Sequence, residues 1–426
     1  MINKTLNNIF KGDKVIWMVF FFLCIISIIE VYSASSQLTY KNGSYLSPVL
    51  KHIGILLMGI FCMVVTLNIK CKYFKIVTPF LLIISVLMLI WVLFAGQSTN
   101  GAARWVGILG MKFQPSEIAK GALVLATAQI LSAMQTEKGA DQHAFKYILV
   151  VCAFIIPLIL VENFSTAFLL CVVIFLMMVL GRVPMQQLGK LLGVVVLFGV
   201  LMFVLIMAVG TDHSKDVASQ TLTEEVVDQP KEEPGVLSKV FHRFDTWKAR
   251  FAKFADKRQL TPAQVDLDKD GQTAHANIAI ASSNVVGKGP GNSVERDFLA
   301  QAFSDFIYAI IIEEMGIEGA FVVALLYIIL LFRTGRIASR CENNFPAFLA
   351  LGLALLLVIQ ALFNMSVAVG IVPVTGQPLP LISKGGTSTL INCIYVGVIL
   401  SVSRTAKKRV TTQDDNKNKV AAASRN

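Results

Sequence analysis

Runs of about twenty apolar residues decide what this chain can fold into. A helix of that length spans the roughly 30 Å hydrocarbon layer of a bilayer. Ten runs qualify: 15–33, 49–69, 74–95, 115–134, 146–161, 164–180, 188–210, 304–332, 346–371 and 385–403. The 426 residues are 55% apolar and 15% charged, with mean hydropathy +0.67. A soluble domain is about half apolar and about a quarter charged. The expected fold class is therefore all-α: a polytopic membrane protein with ten transmembrane helices and a large extracytoplasmic loop between helices 7 and 8. "YSASSQ" after the first run faintly resembles a signal-peptidase site, but the run is long and further spans follow at once, which favours an anchor.

Lys and Arg in the short loops set orientation. With the N-terminus inside, the inner loops hold Lys70, Lys72, Lys75, Lys138, Arg182, Arg333, Arg336 and Arg340, among others. The short outer loops hold only Lys41, Lys51, Arg104, Lys112 and Lys384. Both termini are thus expected in the cytoplasm. Topology and contact with anionic lipid account for much of the formal +11 charge, so no nucleic acid partner is implied. Residues 1–14 read as a cytoplasmic N-terminus, 15–403 as the membrane domain and 404–426 as a basic, disordered cytoplasmic tail. The seven cysteines lie away from the outer loops and lack metal-type spacing, so neither a disulfide framework nor a zinc site is expected.

The outer loop 211–303 begins acidic. Residues of about 236–258, within "GVLSKVFHRFDTWKARFAKFADKR" (235–258), then place aromatic side chains at helical spacing opposite basic ones. Such an amphipathic helix lies in the headgroup layer or packs on the rest of the loop. "DLDKDG" (266–271) opens like a calcium loop, but Asn277 stands where the ligating Glu belongs, leaving a simple turn. "NVVGKGPGNS" (284–293) could cradle an anion on backbone amides, with Lys288 embedded, or be a plain turn. No internal repeat stands out by eye.

Three polar clusters fall on the outer side. In the first, Arg104 and Trp105 precede Pro115, where the fourth helix starts, and Glu117 and Lys120 share a face of that helix. They either neutralise each other within the bundle or line a polar cavity. The second is "FSDFIYAIIIEEMG" (303–316), whose carboxylates would each cost roughly 2.5–3.5 kcal/mol at the bilayer centre. Counting back from Arg333 along a continuous helix puts Glu313 and Glu314 near the outer boundary, with Asp305 about 12 Å further out. Helical angles set Glu313 within reach of Asp305's cavity and turn Glu314 away; the alternatives are salt bridges for the glutamates and an N-cap for Asp305. The third is "PVTGQPLPLISKGGTSTL" (373–390), an irregular stretch in which Ser383, Lys384, Thr387 and Ser388 supply donors. Irregular backbone at membrane depth is tolerated where it is buried or lines a cavity.

Together these clusters resemble the SEDS family of polytopic glycosyltransferases, the FtsW/RodA group. "GAARWVGILGMKFQPSEIAK" is similar to its NGA-R-W…QPSE-AK segment and "SSNVVGKGPGNS" to its G-GKGLGNS loop. "FLAQAFSDFIYAIIIEEMGIEGA" is similar to LPEAHTDFIFAVIGEELG-IG, and "PVTGQPLPLISKGGTS" to PVTG-PLPFISYGGSS. The last resembles the cell-division branch more than the elongation branch. The chain departs from the pattern where Gln301 and Phe303 replace Glu and His, where Lys384 replaces Tyr, and where Ala103 precedes Arg104 in place of a second Arg.

The resemblance implies polymerisation of lipid II, the undecaprenyl-pyrophosphate-linked disaccharide peptide, at the outer face of the bacterial cytoplasmic membrane, at the division septum. It implies inverting transfer with Asp305 as general base. Substrate contacts would come from Arg104, Trp105, Glu117, Lys120, Lys288, Glu313, Ser383, Lys384 and Ser388. A divalent cation such as Mg²⁺ could bridge pyrophosphate and carboxylate, although no dedicated metal cage is visible. The implied partners are a class B penicillin-binding protein transpeptidase and other divisome proteins. The rival readings are a lipid II flippase, an elongation-branch polymerase and a recruiting scaffold. Few charges lie in the inner half of the spans, which favours an enzyme working at the outer mouth over a transporter.

Overall fold

The computed structural model describes residues 11–34, 46–95, 97–99, 102–108, 111–209, 267–299 and 302–423. The expected amphipathic helix at 236–258 and the acidic start of its loop lie outside them. Helices α1 (Lys14–Ala34), α2 (Leu46–Asn68) and α3 (Cys71–Ala95) come first. A small antiparallel sheet follows, β1 (Gln97–Thr99), β2 (Ala102–Ile108) and β3 (Met111–Phe113), in the order β1-β2-β3. Next are α4 (Pro115–Ala133), the short pair β4 (Gln135–Thr136) and β5 (Gly139–Ala140), then α5 (Gln142–Glu162), α6 (Phe164–Leu180) and α7 (Met185–Val209). After the outer loop come α8 (Leu267–Ser282), α9 (Ile307–Ala338), α10 (Asn344–Ala368) and α11 (Thr387–Ala423).

Among the described residues, seven helices are long and apolar enough to cross a membrane, and α6 and α7 add shorter apolar stretches. The chain is a polytopic helical membrane protein. α10 and α11 are mostly buried within the bundle, whereas α3 presents most of its surface outward.

Several boundaries follow from local chemistry. Pro115 stands at the first position of α4, where its missing N–H costs nothing. Asn163 ends α5 and starts α6: its backbone is extended, and its Oδ1 accepts from Ser165 N at 3.1 Å and Thr166 N at 3.4 Å. One cap residue thus separates two spans that otherwise run together. Leu267 to Gly271 open α8, so the calcium-like stretch is helix where a turn was expected. The helical backbone of α11 continues to Ala423, through the stretch read as a disordered tail.

The largest departure from the sequence reading lies in α9. It starts at Ile307, leaving Asp305 in the turn before it, and it breaks at Gly316, whose φ of 71° and ψ of −172° no helix contains. A depth count along one continuous helix from Arg333 therefore fails at this residue. The break frees two carbonyls, and the glycine-rich loop takes them: Lys288 N donates to Glu313 O at 3.0 Å and Gly289 N to Glu314 O at 2.8 Å.

One end of the bundle is closed by groups from both ends of the chain. Arg333 pairs with Asp13 at 2.8 Å, Lys11 donates to Asn68 at 3.3 Å, and Ser401 Oγ donates to Ile69 O at 2.6 Å. The start of α1 and the latter part of α11 therefore lie at the same end.

Candidate functional site

Segment 369–386, between α10 and α11, carries little regular structure, and Leu379, Leu381, Ile382 and Ser383 within it are buried. Buried carbonyls need donors, and here they come from side chains on several helices. Gln360 Nε2 donates to Pro378 O at 3.0 Å and Asn364 Nδ2 to Gln377 O at 2.8 Å, both from α10. Tyr327 of α9 donates to Pro380 O, and Ser27 of α1 to Ile382 O at 2.7 Å. Gln377 Nε2 in turn donates to Thr166 Oγ1 at 2.8 Å, in the first turn that Asn163 caps.

This segment fixes the turn that carries Asp305. Ser383 Oγ donates to Ser304 O at 2.7 Å, and Lys384 N donates to Phe303 O at 3.0 Å. Asn364 Nδ2 also donates to Asp305 O at 2.9 Å. The Lys384 ammonium stands 5.1 Å from the centre of the Phe303 ring, a cation–π distance. Asp305 is half-exposed, with Ser304 Oγ donating to its Oδ1 at 3.1 Å. The backbone of this turn is therefore held from α10 and from segment 369–386, while the residue as a whole stays partly exposed.

One helical turn along α10 from Asn364, Gln360 meets the first cluster. Lys120 Nζ donates to Gln360 Oε1 at 2.8 Å and pairs with Glu117 Oε1 at 2.8 Å. Lys120 is 0% and Glu117 2% exposed, so this ion pair is dry. Removing one partner of such a pair strands a buried charge and costs about 3–5 kcal/mol. Lys120→Ala is accordingly expected to lower the unfolding midpoint of the detergent-solubilised protein sharply. The double change Glu117→Gln with Lys120→Met should recover most of that loss. An unchanged midpoint in the single variant would contradict the pairing.

The two glutamates of the second cluster are gathered by the glycine-rich loop. Gly287, Gly289 and Gly291 have φ of 79°, 91° and 82°, which curls the loop's amides inward. Gly291 N and Ser293 N donate to the Glu314 carboxylate at 2.9 and 3.2 Å. Val294 N and Ser293 Oγ donate to the Glu313 carboxylate at 3.1 and 2.5 Å. Lys288 Nζ neutralises Glu313 at 2.6 Å, and Ser33 of α1 donates to Glu314. The loop does cradle an anion, and that anion is the chain's own pair of carboxylates. Both glutamates are fully buried, and both carboxylates are held by the same loop.

The remaining expected residues are more dispersed. Arg104 and Trp105 lie on β2, with Trp105 opposite Gln97 of β1 and half-buried. Ser388, in the first turn of α11, is 4% exposed. The structure thus brings Asp305 to Ser383 and Lys384, Glu117 to Lys120, and Lys288 to Glu313. Sequence reasoning missed Gln360 and Asn364, although two amides four residues apart in an apolar 25-residue helix are a readable signal. It also missed Ser27 and Tyr327, which nothing local distinguishes. Among the described residues, no group of three or more His, Cys, Asp and Glu stands ready to hold a metal ion. The Glu313 and Glu314 carboxylates are already occupied by loop donors.

These features define a class: a polytopic helical membrane protein with an irregular segment, braced by side chains from several helices, beside the candidate residue Asp305. The profile of the FtsW, RodA and SpoVE family, described as cell cycle protein, matches residues 13–408, and the chain belongs to that family. A probable peptidoglycan glycosyltransferase FtsW from a Geobacter species is 30% identical over 397 residues, covering 92% of this chain and 96% of that one. One from Hahella chejuensis is 30% identical over 401 residues, covering 92% and 90%. A solved peptidoglycan synthase complex, described as coordinating polymerization and crosslinking, contains a chain that matches with TM-score 0.66 at 20% identity, covering 93% of this chain and 98% of that one. The rod shape determining protein RodA of Thermus thermophilus matches with TM-score 0.60 at 20% identity, covering 92% and 97%. At that identity the two structures speak for the fold.

Proposed function

We propose that this chain is a peptidoglycan glycosyltransferase that polymerises lipid II at the outer face of the cytoplasmic membrane, in the septal branch of wall synthesis. The observation that carries the reading is the bracing of Asp305. Its carbonyl is tied to Asn364, and the two residues before it are tied to Ser383 and Lys384, yet Asp305 itself stays half-exposed. A base must reach substrate while its backbone is held in place.

In this reading the acceptor's sugar hydroxyl attacks the anomeric carbon of the lipid-linked donor. Asp305 takes the hydroxyl proton, the glycosidic bond forms, and the bond to the diphosphate breaks with inversion. Lys384, beside the same turn, offsets charge on the departing diphosphate. The membrane-embedded partner would be a class B penicillin-binding protein, with other divisome proteins around it. The Glu313–Glu314 loop clamp keeps the outer mouth in shape, and Glu117–Lys120 braces α4 under Gln360.

Reconstitution in liposomes separates this from transport. With fluorescent lipid II in the outer leaflet, polymer should accumulate with no change in the lipid II accessible to impermeant reagent on the other side. Translocation without polymer would reverse the conclusion.

A further inference from the structure

At the end of α9 away from Asp305, positive charge is gathered with no acid to answer it. Asn68, the last residue of α2, donates from Nδ2 to Val64 O at 2.8 Å, which leaves its Oδ1 to accept. Two cations share that one oxygen: Lys11 Nζ at 3.3 Å and Arg404 Nη1 at 3.4 Å. Lys70 lies exposed in the turn between α2 and α3. Among the described residues, none of the three forms an ion pair with a carboxylate. Asp13, two residues from Lys11, is already engaged: Oδ2 pairs with Arg333, and Oδ1 accepts from Val15 N and Ile16 N.

The two cations are brought together by packing. Trp17 Nε1 donates to Lys11 O at 3.0 Å, and a Cβ on Gly12, whose φ is 98°, would sit 2.9 Å from Leu400 O of α11. Ser401, one turn before Arg404, donates to Ile69 O at 2.6 Å. The charge of Arg404 is also felt at Cys71, the first residue of α3. Like charges held side by side repel unless an anion enters. The C-terminus of α2 attracts cations, but it carries only about half a negative charge and cannot answer two. The first turn of α3 has no acidic residue and brings a positive helix end with main-chain N–H groups to the same turn.

We propose that Lys11, Arg404, Lys70 and the first turn of α3 bind the phosphate of an anionic phospholipid in the leaflet on this side of the membrane. That is the inner leaflet in the orientation that the loop charges favour. An amphiphile fits better than a free anion because the cations head an outward-facing apolar surface. Phe61 and Val65 of α2 and Tyr73, Ile76 and Phe80 of α3 are exposed on either side of the turn. A phosphate held at the turn would lay its acyl chains along them. The site stands apart from the Asp305 turn and does not depend on the polymerase reading.

The test is binding of fluorescent phosphatidylglycerol to the purified full-length chain in neutral detergent, with fluorescent phosphatidylcholine as control. Lys11→Gln and Arg404→Gln should each weaken phosphatidylglycerol binding about tenfold, the scale of one charge-assisted contact, and leave phosphatidylcholine binding unchanged. Lys11→Arg should bind like the native chain. Asn68→Asp, which sets a carboxylate between the two cations, should remove the preference for phosphatidylglycerol. Lys72→Ala deletes the same charge from the first turn of α3, but that ammonium lies 5.2 Å from the centre of the Tyr73 ring, and binding should stay near native. An equal loss in Lys72→Ala would reduce the site to diffuse surface attraction and overturn it. Native-like phosphatidylglycerol binding in both glutamine variants would also overturn it, and a lowered unfolding midpoint there would leave Lys11 and Arg404 as caps of α2 only. Displacement of the label by inorganic phosphate at equal concentration would make it a free-anion site and remove the lipid assignment.

Discussion

Asp305→Asn should abolish polymerisation of lipid II while leaving lipid II binding and the unfolding midpoint close to native. The substitution keeps the size of the side chain and can keep the Ser304 contact, and the backbone ties to Asn364, Ser383 and Lys384 do not involve the carboxylate. What it removes is the ability to take a proton. General base catalysis contributes roughly 10²–10⁴-fold, so residual glycan synthesis should fall at least a hundredfold. Near-native synthesis would rule Asp305 out as the base, whatever the standing of the family assignment.

Gly316→Ala should be the most disruptive single-methyl change in the described structure. A Cβ there would sit 2.1 Å from Val285 O and 2.6 Å from Gly287 N, both main-chain atoms that cannot swing aside. The opposing strand of the contact is as tight, since a Cβ on Gly287 would lie 2.4 Å from Glu314 O. Gly316 also occupies a backbone region closed to side chains, worth about 1–3 kcal/mol in strain by itself. Together the strain and overlap place the loss above about 4 kcal/mol, in the range reserved for named structural failures. The loop should come away from α9, exposing two buried carboxylates. Limited proteolysis should then cut between 284 and 293 in the variant and not in the native chain. A native cleavage pattern with a native midpoint would contradict the crossing. Gly287→Ala should behave alike, because both residues serve one backbone contact.

The sequence made some of this visible and hid the rest for physical reasons. Hydropathy located the membrane segments because a bilayer imposes one length and one composition on every span. The three polar clusters were legible because charge inside an apolar chain is costly. The break in α9 was hidden: a single glycine within an apolar stretch has the same composition whether the helix continues or stops. With the break unseen, the depth of Glu313 and Glu314 was counted from Arg333 along a helix that does not continue past Gly316. The donors bracing segment 369–386 were hidden for another reason. Ser27 and Ile382 are 355 residues apart, and Tyr327 and Pro380 are 53 apart, separations that no local pattern records. The composition of the glycine-rich loop left an anion cradle and a plain turn both open, with the turn preferred. Which anion it binds depended on where α9 crosses it.

The central claim rests on one gel. Native protein and Asp305→Asn, purified and mixed with fluorescent lipid II and the cognate class B transpeptidase held inactive for crosslinking, should be resolved for glycan chains. A ladder of polymer, sensitive to a muramidase, is expected from the native chain and none from the variant. No ladder from the folded native chain with its partner present, or an equal ladder from Asp305→Asn, would contradict it.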